Sequence, residues 1–411
     1  MQLSLFDRTL PHDETWRRRL RGVDPKAYAR TRNSLDGRVT GLSPFITHGF
    51  VAPREILATL AERGPLTADD KLVMELGWRE FFHHVWEREG ARIFRDLRPP
   101  VWPGAYARQM PADVLAAASG VPAIDQAVQT LHHTGHLHNH ARMWLASYLV
   151  HLRKVHWSVG AAWMYAHLLD GDLASNSLSW QWVAGTFSSK PYLFNGANVA
   201  RYAPASWHSP GTAIDTDYDR LAQLAREAGD VGPEPGERKA ADQPENHAVP
   251  PLALWDELFV PLVEAGEGWW KPRGEGPRPL REGPWELLHP WDLRSRSALP
   301  AWRLGVLHLP FHARFPWSTL RWRFVLTRLA SLCDAVWIGD LASLKGLPAG
   351  TTATASLNPG YAEHLPQLAR LRHVARFTPN PARTMRSFSQ FWEVARDQLV
   401  WEHGSERQAA N

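Results

Sequence analysis

KLVMELGWREFFHHVWERE, residues 71–89, decides how the first half of this chain is read. Leu72, Leu76, Phe82, Val85 and Trp86 recur at helical intervals, so the stretch predicts a helix packed against others by an apolar face. Outward from it, residues 16 to about 208 run as amphipathic stretches broken by Gly, Pro and Ser, with little strand-type alternation, and predict a helical half. Pro122 stands where a first helical residue belongs, Val128 and Leu131 continue that helix, and Gly135 stops it. A further helix is predicted from about Leu137 to Lys154.

At about 150 residues per domain, the 411 residues suggest two or three domains and enough chain for a sizeable core. A composition of 44% hydrophobic and 21% charged residues excludes a wholly disordered chain. No apolar run reaches the eighteen or so residues of a membrane span, and Asp7 interrupts the start before a signal core can form. The expectation is a soluble, cytoplasmic protein with no membrane partner. Cys333 is the single cysteine, which excludes an intrachain disulfide, a multi-cysteine zinc site and an iron-sulfur cluster held by four thiolates. Lysine plus arginine (46) exceeds aspartate plus glutamate (42) and is joined by 20 histidines, a lean that permits a polyanionic partner. The 21 tryptophans outnumber tyrosine (8) and phenylalanine (15), and core bulk accounts for most of them.

Residues 209–250 are dense in Pro, Gly and charge, with a short helical patch near LAQLARE, and read as a linker or surface loop. A second Gly/Pro cluster covers 264–284. Beyond it the periodicity changes: RLGVLHLP at 303–310 suits a buried strand, 318–332 places Trp322, Val325, Leu326 and Leu329 on one helical face, and AVWIG at 335–339 is another strand. Strand, helix, strand over about thirty-five residues signals a βαβ unit in a parallel sheet. A last helix from about Ser389 carries Phe391, Trp392, Ala395 and Leu399. The predicted class is a helical domain, 1–208, then the linker 209–250, then an α/β domain with a parallel sheet, 251–411.

Chemistry concentrates in four segments. In VTGLSPFITHGF, Ser43 and Pro44 read as an N-cap and first-turn pair beside Thr40 and Gly41, and a helix start of this kind suits a diphosphate as well as ordinary capping. On the helix 71–89, Glu75 and Arg79 stand four apart with Trp78 between, either a surface ion pair or, given apolar flanks, a pocket wall. In HTGHLHNHARMW, Asn139 and Met143, and His138 and Arg142, occupy adjacent strips of one helix. His136 and His140 have the spacing of helical zinc ligands but lack an HExxH glutamate and a third ligand, so no metal is expected, and the letters HNH alone do not make a nuclease. In LLDGDLASNSLSWQWVAG, Asp170 and Asp172 bracket a glycine at a helix end, where they can accept ribose hydroxyls, lock Arg142, or simply cap.

Taken in order, ELGWREFF, the HNHARM stretch and DGDLASNSLSWQW resemble the FAD-binding helical domain of the DNA photolyase and cryptochrome family, over roughly residues 28 to 208. The resemblance implies that Tyr28, Thr40, Leu42 and Ser43, around Gly41, cradle the FAD phosphates, with Arg79 and Asn139 lining the flavin site. It implies that Asp170 pairs with Arg142 beside the isoalloxazine, that Asp172 holds the sugar or adenine side, and that Asn176 faces flavin N5. Trp180, Trp157 and Trp102 match the family's chain of electron-carrying tryptophans. Glu75, Trp78, Met143 and Trp182 match positions lining the pocket for a flipped lesion.

The implied activity is that of a lyase: blue-light-driven electron transfer from reduced FAD that splits cyclobutane pyrimidine dimers in single- or double-stranded UV-damaged DNA. The alternative is a cryptochrome-like photoreceptor without repair; a flavoprotein without photochemistry, or a scaffold without FAD, is a third reading. Members of the six-four class resemble this domain but carry histidine at the positions of Asn139 and Met143. His136 and His140 stand where many members have tryptophan and arginine, and SSKPYLFNGANVARY is similar to the KPY stretch of iron-sulfur photolyases, whose cluster one cysteine cannot hold. The family's N-terminal antenna domain is not expected ahead of the helical domain. Its end resembles RSFSQFW, which implies a permuted arrangement, with the antenna chromophore unassigned.

Overall fold

The computed structural model describes residues 12–102, 104–227, 245–273, 282–295 and 302–401. Two compact units divide the chain: Lys26–Val39 with Val85–Asn246, and Thr40–His84 with His247–Asn411 and the described residues up to Pro25. The units are therefore not consecutive, unlike the boundaries 1–208, 209–250 and 251–411. The reason lies in residues 40–84, whose apolar side chains find their partners in the C-terminal half. Phe45 and Phe50 meet Phe324 at 5.7 and 5.5 Å, and His48 Nδ1 donates to Pro290 O at 2.7 Å. Of the predicted linker, Tyr218–Arg226 is a helix capped by Asp217, and 228–244 lie outside the described residues.

The helix Lys71–Glu89 has the predicted bounds. Pro122–Thr134 starts on its proline and ends at Gly135, whose φ of 63° only glycine adopts at little cost. The next helix begins at Asn139 rather than Leu137, because the His138 side chain accepts from His140 N–H and caps it; a π-turn, Tyr148–Leu152, extends it. Trp157–His167 and Leu173–Ala184 follow, the latter capped by Asp172 and stopped at Gly185. Their apolar faces share one core that includes Val128, Leu131, Trp144, Leu149 and Trp180, each large side chain contributing about 1.5–3 kcal/mol by its burial.

Among its described residues the other unit carries a sheet of seven strands: β1 (Phe259–Pro261), β2 (Trp269–Pro272), β3 (Trp285–Leu288), β4 (Trp302–His308), β5 (Ala335–Gly339), β6 (Thr352–Thr354) and β7 (Arg370–Arg372). They form one sheet in the order β1-β2-β5-β4-β3-β6-β7. β5, β4, β3, β6 and β7 are parallel, and β1 and β2 add an antiparallel edge. The predicted βαβ unit is β4, the helix Thr319–Leu332 and β5, in register from Leu304↔Ala335 to His308↔Gly339. The expected strand to residue 310 stops at His308, where the helix Leu309–Arg314 takes over. Chain order reverses across the sheet between β3 and β6, and such a switch point leaves a crevice at the strands' carboxyl ends. A cavity of about 330 Å³ opens there, lined by Arg54, Glu55, Arg294, Thr354, Arg372 and His373 among others. The last helix is Phe388–Ala395; Leu399 lies beyond it, after a 3-10 turn.

Candidate functional site

The proposed residues divide between the two units. In the helical unit, the helix Asn139–Ser147 presents Asn139, Arg142 and Met143. Asn139 Nδ2 approaches Met143 Sδ at 3.6 Å. Both carboxylate oxygens of Asp170 accept from Arg142 Nη2, at 2.9 and 2.8 Å, and Arg142 Nε donates to Leu137 O at 2.8 Å. The Arg142 side chain stays 25% exposed against 6% for Asp170, so the pair is half open. Asp172 accepts from Ser175 N at 2.8 Å, which places it as a helix cap. Asn176 Nδ2 donates to Ala161 O at 2.8 Å, which fixes the amide and leaves Oδ1 as its acceptor end. Beside it, Ser175 Oγ is buried without a hydrogen-bond partner, a position the sequence reading missed. Tyr28 lies in the short helix Pro25–Thr31, half-buried.

His138 is neutral in this arrangement. Its Nδ1 accepts from His140 N–H at 3.2 Å, so Nε2 carries the proton and donates to Arg32 O at 3.0 Å. Burial, with His140 next in effect, lowers its pKa to about 4.

In the α/β unit, Ser43 is not the cap expected of it. Leu42 occupies the cap position with helical backbone angles and no side-chain hydrogen bond, and Ser43 and Pro44 already lie inside the helix Ser43–Thr47. Thr40 Oγ1 instead accepts from Leu42 N at 3.2 Å. Gly41 has φ of 62°, and a Cβ there would stand 2.3 Å from Arg19 Nη1. Arg19 thus lies over the Thr40–Ser43 loop, a contact twenty-two residues apart in sequence that no local pattern reveals. Arg79 Nη1 donates to Thr47 Oγ1 at 3.3 Å. Glu75 and Trp78 share its helix and are half-buried. Trp78 stacks on Phe388 with centroids 4.1 Å apart and an interplanar angle of 11°, and Phe388 stacks in turn on Trp392. One face of Trp78 is therefore covered by the C-terminal helix.

Among the three tryptophans, Trp180 is buried and lies on Gly160, where a Cβ would come within 2.3 Å of its ring. Trp157 is buried and donates from Nε1 to Asp96 at 2.6 Å. Trp102 is half-buried, edge to face with His151 at 5.0 Å. Trp182 lies against Tyr192 at 5.7 Å. Asp96, the acceptor beneath Trp157, was not foreseen from sequence.

These elements define a class. Residues 72–209 match the family described as the FAD-binding domain of DNA photolyase. The deoxyribodipyrimidine photo-lyase of Streptomyces griseus is 36% identical over 166 residues, covering 39% of this chain and 35% of that one. The photo-lyase of Salmonella typhimurium is 31% identical over 228 residues, 50% and 47% of the two chains. A cryptochrome DASH of Vibrio parahaemolyticus is 33% identical over 169 residues, 39% and 38%. The chain thus spans less than half the length of these curated relatives.

FAD is the cofactor of that domain class, and the residues present fit it. The Arg142–Asp170 pair with its partly exposed guanidinium, the buried Ser175 hydroxyl without a hydrogen-bond partner and the Oδ1 end of Asn176 each offer donor or acceptor chemistry that a flavin edge takes. No described helix is long and apolar enough to cross a membrane.

Proposed function

We propose that this chain is a blue-light-driven flavoprotein that splits cyclobutane pyrimidine dimers in DNA. The observation that carries the reading is the Arg142–Asp170 pair, half open, in the segment that matches the FAD-binding domain. Bound FAD supplies absorption of blue light and one-electron transfer. Asp170 holds the Arg142 guanidinium in one orientation, so a positive charge is presented without side-chain reorganisation. Ala161 O fixes the Asn176 amide, which then offers Oδ1 to the N5 side of the ring. By the family resemblance, Thr40, Gly41, Leu42 and Ser43, beneath Arg19, and Arg79 are the cofactor-holding residues of the α/β unit, and Tyr28, Asn139 and Asp172 those of the helical unit.

Trp102, Trp157 and Trp180 carry electrons through the helical unit from indole to indole. Asp96 stabilises positive charge on Trp157 through its 2.6 Å hydrogen bond. Glu75 and Trp78 in the α/β unit, and Met143 and Trp182 in the helical unit, are assigned by the resemblance to stacking and hydrogen bonding of a flipped lesion, with no general base required. A dimer-bearing oligonucleotide, single-stranded and duplex, illuminated with the reduced protein against a dark control, tests the reading. Restored thymines in the light alone support it, and intact dimers sink it.

A photoreceptor without repair is the second reading. The stacking of Phe388 on Trp78 favours it, because a covered indole face has less room for a base, and a cryptochrome DASH stands among the relatives. Photoreduction that persists while dimers stay intact is its signature.

A further inference from the structure

The carboxyl edge of the parallel sheet brings together three side chains that no flavin chemistry uses. His308 is the last residue of β4, Asp340 follows β5 directly, and His364 lies in the helix Tyr361–Leu368. One ligating atom from each lies within 4.8 Å of the others. His308 Nδ1 stands 3.8 Å from Asp340 Oδ1, and the two imidazole centroids are 5.5 Å apart. The three residues are far apart in sequence, and only the β4–β5 pairing and the return of the chain through Gly360 assemble them. We propose that His308, Asp340 and His364 bind one divalent transition-metal ion of the zinc type, with solvent completing its coordination.

The donor set is two imidazoles and one carboxylate, borderline ligands that suit zinc, cobalt and nickel ions over magnesium or calcium, which prefer all-oxygen shells. The tautomer of His308 is set in advance. Leu341 N–H donates to Nδ1 at 3.1 Å, so the lone pair sits on Nδ1, beside Asp340, and Nε2 carries the proton. An ion would take that lone pair in exchange for one backbone hydrogen bond. The ring is also held mechanically: Gly360 has φ of 76°, and a Cβ there would lie 2.2 Å from His308 Nε2. The backbone presses on the imidazole at the point where the helix bearing His364 begins.

Asp340 is exposed, and its Oδ1 also accepts from Ala342 N at 3.0 Å. His308 and Asp340 thus have structural duties of their own. His364 has no such duty in binding, which makes it the discriminating position. The test is a titration of the full-length protein, stripped with a chelator, first with Co²⁺, read by its visible d–d absorption, then with Zn²⁺. The expected result is one saturable equivalent of Co²⁺, displaced by Zn²⁺, and weakened about tenfold or more in His364→Ala and in Asp340→Asn. His133→Ala, which removes an exposed histidine of the other unit, should leave it unchanged. Zn²⁺ should raise the Tm of the wild type and not that of His364→Ala, whose metal-free Tm should match the wild type. An absent d–d band, or equal affinity in wild type and His364→Ala, would overturn the site.

Discussion

Two arginine–aspartate pairs of the helical unit are built alike and placed differently. Arg153 meets both oxygens of Asp113, at 2.6 and 3.0 Å, with its side chain 0% and the carboxylate's 2% exposed. Arg142 meets both oxygens of Asp170, yet keeps a quarter of its surface open. The sealed pair includes Tyr148 and ties the helix turn at Asp113 to the π-turn; the open one lies in the segment that carries the photolyase-type motif, its guanidinium partly exposed. The difference separates structure from function by access rather than by chemistry. A charge pair closed on every side can only hold the fold, whereas one with a free edge can also hold a ligand.

Breaking the sealed pair should have the largest effect. Asp113→Ala leaves a buried guanidinium unmatched, an expected loss of about 3–5 kcal/mol, read in urea unfolding. Asp170→Ala should cost about 1.5–3 kcal/mol and release flavin. Equal unfolding losses in the two variants would dissolve the contrast.

Acid should act next. Burial lowers the pKa of His151 to about 4 from 6.5, and those of His132 and His138 also to about 4. A histidine held neutral in the fold contributes stability that is fully present above pH 6.5 and is lost as pH falls through 6.5 toward 4. For the buried His151 the full loss is about 3 kcal/mol. Urea midpoints measured from pH 7.5 to 4.5 should therefore fall, and a flat profile would refute the buried neutral state.

A steric test sharpens the open side of the comparison. Gly160→Ala places a methyl against the Trp180 ring, an overpacking cost of about 1–3 kcal/mol, and should slow photoreduction of the bound flavin; unchanged photoreduction would detach Trp180 from that path. The smallest energetic effect is expected of Asn176→Asp. It removes the amide donor to Ala161 O and should shorten the lifetime of the reduced flavin, with little change in Tm. Matching lifetimes in stopped-flow reoxidation would count against the N5 assignment.

Much of the fold was legible where its signals are local. The helix 71–89 carries helically spaced apolar residues, though its buried side also takes in Glu80 and His84 and leaves Leu76 and Phe82 half-buried, and Pro122–Thr134 has a proline start and a glycine stop, so both could be bounded from sequence. The β4–helix–β5 unit was legible for the same reason. The other strands were not. β6 and β7 have three residues each, too few to display a period, and all four residues of β3 are buried, which erases alternation. In the candidate site, Arg142 with Asp170 followed from the motif. Arg19 over Gly41, Phe388 on Trp78 and the His308–Asp340–His364 group did not, because each is a contact between distant segments. The cap assigned to Ser43 failed on backbone geometry: Leu42 already has helical angles, so the hydroxyl comes one residue late.

The packing of residues 40–84 against the C-terminal half has a consequence for biosynthesis. Phe45 and Phe50 leave the ribosome long before Phe324, so during translation these rings lack that part of their cover. The nascent chain should need a chaperone, or an interim collapse, until the helix Thr319–Leu332 emerges. Light-scattering of ribosome-free fragments ending near residue 246 against the full chain would measure that exposure, and equal solubility would show the early segment to be self-sufficient.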